Sequence, residues 1–145
     1  MRKIIVSACL AGINCRYDGK NNYNEKIKKI IDAGYEIVFV CPEQLGGLAT
    51  PRPPAEIKKD KVFTKGGRDV TYQFQKGANE TLKIAELLDI KVAILKGKSP
   101  SCGSSMVYDG TFSNKIVEGE GVTSKLLKKN GIKVINEYDL YELEF

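Results

Sequence analysis

The residues of this chain best suited to bind a soft metal are Cys9, Cys15, Cys41 and Cys102, and their placement says more than their number. None stands in a Cys-x-x-Cys pair, which disfavours zinc ribbons, zinc knuckles and thioredoxin-type redox motifs. Cys9 closes an apolar run over residues 3–8, and Cys41 directly follows another over 36–40. Cys102 lies in the loop after a third such run, over 91–95. If these runs are parallel strands of one open sheet, their carboxyl ends share an edge, and ligands bind in the crevice there. Three thiols remote in sequence then meet at one place. Cysteine also serves as a small buried filler, but the same strand-end position recurring with each run suits a site better than filler. Convergent thiolates with no histidine beside them favour zinc or an iron–sulfur cluster. Three protein ligands would leave one metal position open, as catalysis requires. Cys15, in the turn-like stretch Asn14-Cys15-Arg16-Tyr17-Asp18-Gly19, could be a fourth ligand that closes the site.

The absences narrow the chemistry further. The chain has no histidine and no tryptophan. The Ser-His-Asp triad, the Cys-His dyad and His-ligated zinc are therefore excluded. Acid–base work falls to Asp, Glu, Lys, Tyr or a polarised water. Lys and Arg number 23 against 18 Asp and Glu, for a net charge of +5. A mildly basic surface suits an anionic or phosphorylated ligand, although plain solubility explains it as well.

Polar groups flank the thiols. Cys41 is followed by Pro42 and Glu43, which puts a carboxylate within reach of a metal-bound substrate and able to deprotonate water. Around the third thiol, Ser99-Pro100-Ser101-Cys102-Gly103-Ser104-Ser105 offers hydroxyls and exposed N–H groups that could cradle an anion or a base edge. The same composition is also ordinary turn chemistry. Gly97-Lys98-Ser99 mimics the end of a P-loop, but Val92 stands where the first glycine is needed and Pro100 blocks the helix. No Gly-x-Gly-x-x-Gly follows the first run. Basic-aromatic stripes are missing too, so no stable nucleic-acid partner is expected. The long loop over 46–56 holds Arg52, able to grip a phosphate or carboxylate. Arg16, Arg52 and Ser104 are candidate substrate-binding residues, with Lys20 and Lys98 as further phosphate contacts.

The positioning elements follow from periodicity. Strands are expected at 3–8, 36–40, 91–95 and 133–135, with a short one at 61–64. Helices are expected at 23–33, ending at Gly34, and at 122–129, closed by Asn130-Gly131. A longer helix is N-capped by Asp69 and reaches Leu88, with Phe74, Ala78, Leu82, Ala85 and Leu88 on its inner face. Residues 42–58 and 97–114 read as loops, and Asp139 as the cap of a terminal turn. Strands alternating with helices predict an α/β fold: a Rossmann-like three-layer α/β/α sandwich on a mostly parallel sheet. At 145 residues the chain should be one domain over 1–145, given the usual size of about 100–200. No apolar run of about 18 residues is present, so no membrane span is expected. The apolar start is too short for a signal peptide, which points to the cytoplasm.

Together these blocks resemble the TudS-like thiouracil desulfidases, long catalogued as a domain of unknown function. The likeness covers nearly the whole chain. It rests on Val6-Ser7-Ala8-Cys9-Leu10 with Arg16-Tyr17-Asp18-Gly19, and on Val40-Cys41-Pro42-Glu43 with Gly46-Gly47-Leu48 and Pro51-Arg52-Pro53-Pro54-Ala55-Glu56. Asp69-Val70-Thr71, Leu95-Lys96, Ser99-Pro100-Ser101-Cys102-Gly103 and Tyr108-Asp109-Gly110-Thr111-Phe112 complete it. The resemblance implies a 4Fe-4S cluster held by Cys9, Cys41 and Cys102 alone, with Cys15 not required. It implies a catalytic pair of Glu43 and a serine, Ser101 by preference and Ser99 as second choice. The implied reaction is hydrolytic, non-redox removal of sulfur from 4-thiouracil-type bases. Its natural form would convert 4-thiouridine 5'-monophosphate to UMP and hydrogen sulfide, in a monomer or homodimer. The alternative is a non-catalytic iron–sulfur or zinc module that carries or senses sulfide.

Overall fold

A computed structural model describes residues 2–140. Its centre is a four-stranded sheet of β1 (Lys3–Ser7), β2 (Glu36–Val40), β5 (Val92–Ile94) and β8 (Lys133–Ile135), in the order β2-β1-β5-β8. Every neighbouring pair in it is parallel. Between β2 and β5 run α2 (Pro42–Leu45), the antiparallel pair β3 (Ala55–Lys58) and β4 (Lys61–Thr64), and α3 (Thr71–Leu87). The pair β6 (Met106–Tyr108) and β7 (Ile116–Glu118) precedes α4 (Val122–Lys129), and α1 (Glu25–Asp32) links β1 to β2.

Successive residues of a strand point to opposite faces, and β1 uses this to build both layers. Ile4 and Val6 meet Ile27 and Ile30 of α1, with Ile94 and Ile135 beside them. Ile5 turns the other way and joins Ala93, Val134, Ala85 of α3 and Leu127 of α4. Helices therefore cover both faces, as the alternating pattern predicts, and a strand buried on both sides reads as an unbroken apolar run.

Two stretches read as loops are partly regular. Residues 42–58 contain α2 and β3, and 97–114 contain β6, which pairs with the unanticipated β7. All of these elements are only three or four residues long, too short to show a period. The long helix stops at Leu87, and Leu88 is 40% exposed rather than inward. Asp69 acts one residue earlier than a true N-cap: its Oδ1 accepts from the Thr71 N–H at 2.9 Å. The turn expected after Asp139 extends beyond the described residues. Among the described residues no helix is long and apolar enough to cross a membrane.

Candidate functional site

The order of the sheet reverses between β1 and β5, where an open α/β sheet leaves its crevice. Cys9 sits in a single 3-10 turn, Ala8–Ala11, at the end of β1. Cys41 ends the run through β2, and Pro42 starts α2 with the fixed φ a first helical residue needs. Cys102 follows β5 in a loop braced twice. The Ser99 Oγ accepts from the N–H groups of Ser101 and Cys102 at 3.1 and 3.0 Å. The first turn of α4 clasps the same loop: the Thr123 N–H donates to the Ser101 carbonyl at 2.8 Å, and the Ser124 Oγ to the Cys102 carbonyl at 2.6 Å. A Cβ on Gly121 would lie 2.4 Å from the Ser101 carbonyl, so only glycine allows this approach.

All four cysteines line one cavity of about 460 Å³, together with Glu43, Ser99, Arg16 and Arg52. Cys15 and Cys102 are 3% and 6% exposed, while Cys9 and Cys41 are half-buried. The Cys15 thiol is hydrogen-bonded to the sulfurs of Cys41 and Cys9, which pushes its own pKa far up. The bond from Cys15 in turn lowers Cys41 to about 6, helped by the Gln44 N–H and opposed by burial. Cys9 is lowered chiefly by Cys15 and then by Asn22. Cys102 is pushed up to about 12 by burial, despite the Ser7 hydroxyl that donates to its sulfur at 3.4 Å.

Glu43 and Arg52 form the nearest acid–base pair. The Arg52 Nε and Nη2 each lie 2.7 Å from one carboxylate oxygen, Oε2, and both side chains are largely buried. Arg52 also donates to the Cys15 carbonyl at 2.9 Å and to the Thr50 Oγ1 at 2.8 Å. It therefore acts as a brace between Glu43 and the turn that carries Cys15. Its place in the sequence marked it as a candidate for the ligand, but its donors are spent on protein.

The cavity is electropositive. Arg16, Arg52, Lys65, Lys96 and Lys98 line it against the carboxylates Glu43 and Glu56. Arg16 is tied to Asp18, whose carboxyl is held well below its usual range, and to Asn22. Lys96 is paired with Glu137 at 2.9 Å. Lys65 and Lys98 have no carboxylate partner among the described residues; the Lys98 Nζ sits 5.8 Å from the Tyr138 ring centre. Tyr17, Tyr108 and Phe112 add flat apolar surface. Glu56 fixes the loop that presents Phe112, its Oε1 accepting from the N–H groups of Gly110 and Phe112 at 3.0 and 3.1 Å.

The site thus brings together Cys9, Cys41, Cys102, Glu43, Ser99, Arg16 and Arg52, but not two of the expected serines. Ser101 is 1% exposed and its Oγ is paired with the Thr123 Oγ1 at 2.8 Å, beneath the start of α4 and off the cavity. Ser104 is also turned away, accepting from the Asn136 Nδ2 at 3.0 Å while its carbonyl takes the Lys128 ammonium. Both follow from contacts between segments distant in sequence: α4 holds Ser101 through Thr123, and Asn136, just after β8, holds the Ser104 hydroxyl. Lys20 does not line the cavity. Ser7, Asn22, Glu56, Lys65 and Phe112 do, and sequence reasoning had not singled them out. Ser7, Glu56 and Phe112 belonged to motif blocks already marked, whereas nothing around Lys65 signalled a site.

The donor set suits a soft polynuclear centre. Among the described residues no three Cys, Asp or Glu side chains are gathered as a single metal ion requires.

Comparison with known proteins accords with this geometry. A family model described as 2-thiouracil desulfurase matches residues 4–139. An uncharacterized protein of Bacillus subtilis (strain 168), YbbK, is 45% identical, over 97% of this chain and 99% of its own length. A solved structure of the [4Fe-4S]-dependent thiouracil desulfidase TudS superposes with a TM-score of 0.93 at 43% identity, over 99% of this chain and 95% of that one.

Proposed function

The chain belongs to the 2-thiouracil desulfurase family, and from that premise we propose that it is a desulfidase of 4-thiouracil-type bases that carries a 4Fe-4S cluster on Cys9, Cys41 and Cys102. The observation that carries the reading is the convergence of these thiols from three strand ends onto one cavity, with Glu43 beside them. A cluster held by three cysteines supplies one iron able to polarise a soft thiocarbonyl sulfur as a Lewis acid, with no net redox change.

The protein's own groups do the rest. Arg52 occupies Oε2 of Glu43, so Oε1 remains to take a proton from a water placed at the thiolated ring carbon. Ser99, on the cavity wall, is the serine positioned to hold that water, although its Oγ already accepts two N–H groups. Its hydroxyl proton stays available to donate. Phe112 and Tyr108 offer faces for the pyrimidine. Lys65 and Lys98, without carboxylate partners, are the cations suited to a 5'-phosphate. The products are then the oxo-pyrimidine, UMP from 4-thiouridine 5'-monophosphate, and hydrogen sulfide. A pure sulfide carrier would have no use for a buried, arginine-oriented carboxylate beside the thiols. The reducing cytoplasm suits four free cysteines, and the assembly proposed is a monomer or homodimer.

The test is anaerobic reconstitution with iron and sulfide, an iron and acid-labile sulfide count, and an assay of sulfide release from 4-thiouracil and 4-thiouridine monophosphate on the same sample. Four irons and steady sulfide release are expected. A loaded protein that turns over neither compound would remove the enzymatic reading.

A further inference from the structure

Cys15 is the thiol at this site that the desulfidase reading leaves without a task. It is 3% exposed and lines the same cavity as the three proposed ligands. A cysteine used as filler sits among apolar atoms, whereas the free Cys15 thiol shares a cavity wall with Cys9 and Cys41 and is hydrogen-bonded to their sulfurs. Its backbone is fixed from both sides. Its N–H donates to the Ile13 carbonyl at 2.8 Å, and its carbonyl accepts from the Arg52 Nη2 at 2.9 Å and lies 3.7 Å from the Cys41 Sγ. The turn is thus anchored to Arg52, the brace of Glu43, and its thiol is held at the ligand cluster.

We propose that Cys15 is a displaceable fourth ligand, occupying the open corner of the iron–sulfur centre until the thiolated substrate takes its place. The inference rests on the desulfidase reading. The exchange balances without electrons. When the Cys15 sulfur binds iron, its new Fe–S bond replaces the one to the product hydrosulfide, which takes the thiol proton and leaves as hydrogen sulfide. When the thiocarbonyl sulfur binds, that Fe–S bond breaks and the released thiolate takes a proton back. A substrate-free site closed in this way keeps water and oxygen off the corner iron, while turnover needs only that the substrate compete.

The test compares wild-type protein with Cys15→Ala and Cys15→Ser, reconstituted anaerobically. Iron content, the Mössbauer signature of the individual irons and the rate of iron loss in air are measured with and without saturating 4-thiouracil. All three proteins should hold the same iron. The substrate-free alanine variant should show one altered iron site and lose iron several-fold faster in air, with serine shifted differently as an oxygen donor. Saturating 4-thiouracil should bring the wild-type and alanine spectra together. Identical substrate-free spectra and loss rates would overturn the proposal, leaving Cys15 a hydrogen-bond donor only. Loss of the cluster in Cys15→Ala would overturn it too, by making Cys15 an obligatory ligand. If wild-type protein binds no cluster, the desulfidase reading itself has failed.

Discussion

Arg52 holds Glu43, a residue of the cavity wall, through one carboxylate oxygen: the guanidinium Nε and Nη2 both reach Oε2 at 2.7 Å, a pairing that does not use Oε1. A charge-assisted bond of this kind fixes a general base in orientation without consuming it. Glu43→Gln keeps the shape and removes the basicity. It should lower kcat by about a hundred- to ten-thousandfold while the cluster absorbance stays. Arg52→Lys cannot present two parallel N–H groups, so kcat should fall here too, with KM for the thiolated base nearly unchanged. Loss of iron in the Glu43→Gln protein would make the carboxylate structural.

The two serines beside Cys102 should separate cleanly. Ser101→Ala leaves the Thr123 hydroxyl buried without its partner, a cost of about 1–3 kcal/mol. It should therefore lower the urea midpoint and spare kcat. Ser99→Ala removes a hydroxyl on the cavity wall, and also the acceptor for the Ser101 and Cys102 N–H groups. It should depress kcat at least as much as stability. The reverse pattern would return the catalytic role to Ser101.

What the sequence made legible here, and what it did not, divides by range. Strands β1 and β5 are mostly buried, and the edge strand β2, though only partly covered, still reads Ile37-Val38-Phe39-Val40, so these apolar runs announce themselves and the convergence of Cys9, Cys41 and Cys102 follows from topology. The orientation of Ser101 does not, because it depends on Gly121 and Thr123 packing from a helix some twenty residues later. The cavity role of Lys65, which directly follows β4, depends on where the β3–β4 pair packs, and four-residue strands carry almost no periodic signal. Cys15 lies between these cases: its turn was visible, but not its contact with two other sulfurs.

The metal-free protein should show an ordered thiol reactivity. Cys41, lowered to about 6 first by the Cys15 thiol and next by the Gln44 N–H, is mostly thiolate at pH 7. Cys102, raised to about 12 by burial, is not. Iodoacetamide at pH 7 should alkylate Cys41 well before Cys102, as mass mapping would show. The signs for stability are opposite. The depressed Cys41 contributes stability that is complete above the ordinary thiol value of 9.0 and is lost as pH falls through about 6. The raised Cys102 contributes below 9.0 and loses its contribution as pH climbs toward about 12. Cys15→Ala should move the Cys41 value back up, and an unchanged alkylation rate at Cys41 would exclude that hydrogen bond.

Helix α2, which carries Glu43, is seated on α3 through glycine. A Cβ on Gly77 would lie 1.8 Å from the Pro42 carbonyl oxygen, and one on Gly46 would lie 1.9 Å from that of Gln73. Gly77→Ala gains about 1 kcal/mol in helix propensity, yet the backbone clash admits no rotamer escape. Overpacking of about 1–3 kcal/mol should win. The expected result is a lower Tm together with weaker cluster retention, because α2 must shift and Cys41 and Glu43 move with it. A Gly77→Ala protein as stable as wild type would show that the two helices can part at no cost.

Substrate form should be readable from the two lysines without carboxylate partners. Arg16, Arg52 and Lys96 are each committed to an acid of the protein, so an added dianion finds Lys65 and Lys98 as the available charges on the cavity wall. A hydrogen bond to a charged group contributes about 1.5–3 kcal/mol, or roughly ten- to a hundredfold in kcat/KM. Lys65→Ala and Lys98→Ala should each reduce kcat/KM for 4-thiouridine monophosphate by about that factor, mainly through KM. Turnover of free 4-thiouracil, which has no phosphate to hold, should be unaffected. The two effects should also weaken as salt is raised, since exposed charges are screened over about 8–10 Å at physiological ionic strength. Equal losses for base and nucleotide would mean that the lysines shape the cavity rather than bind phosphate.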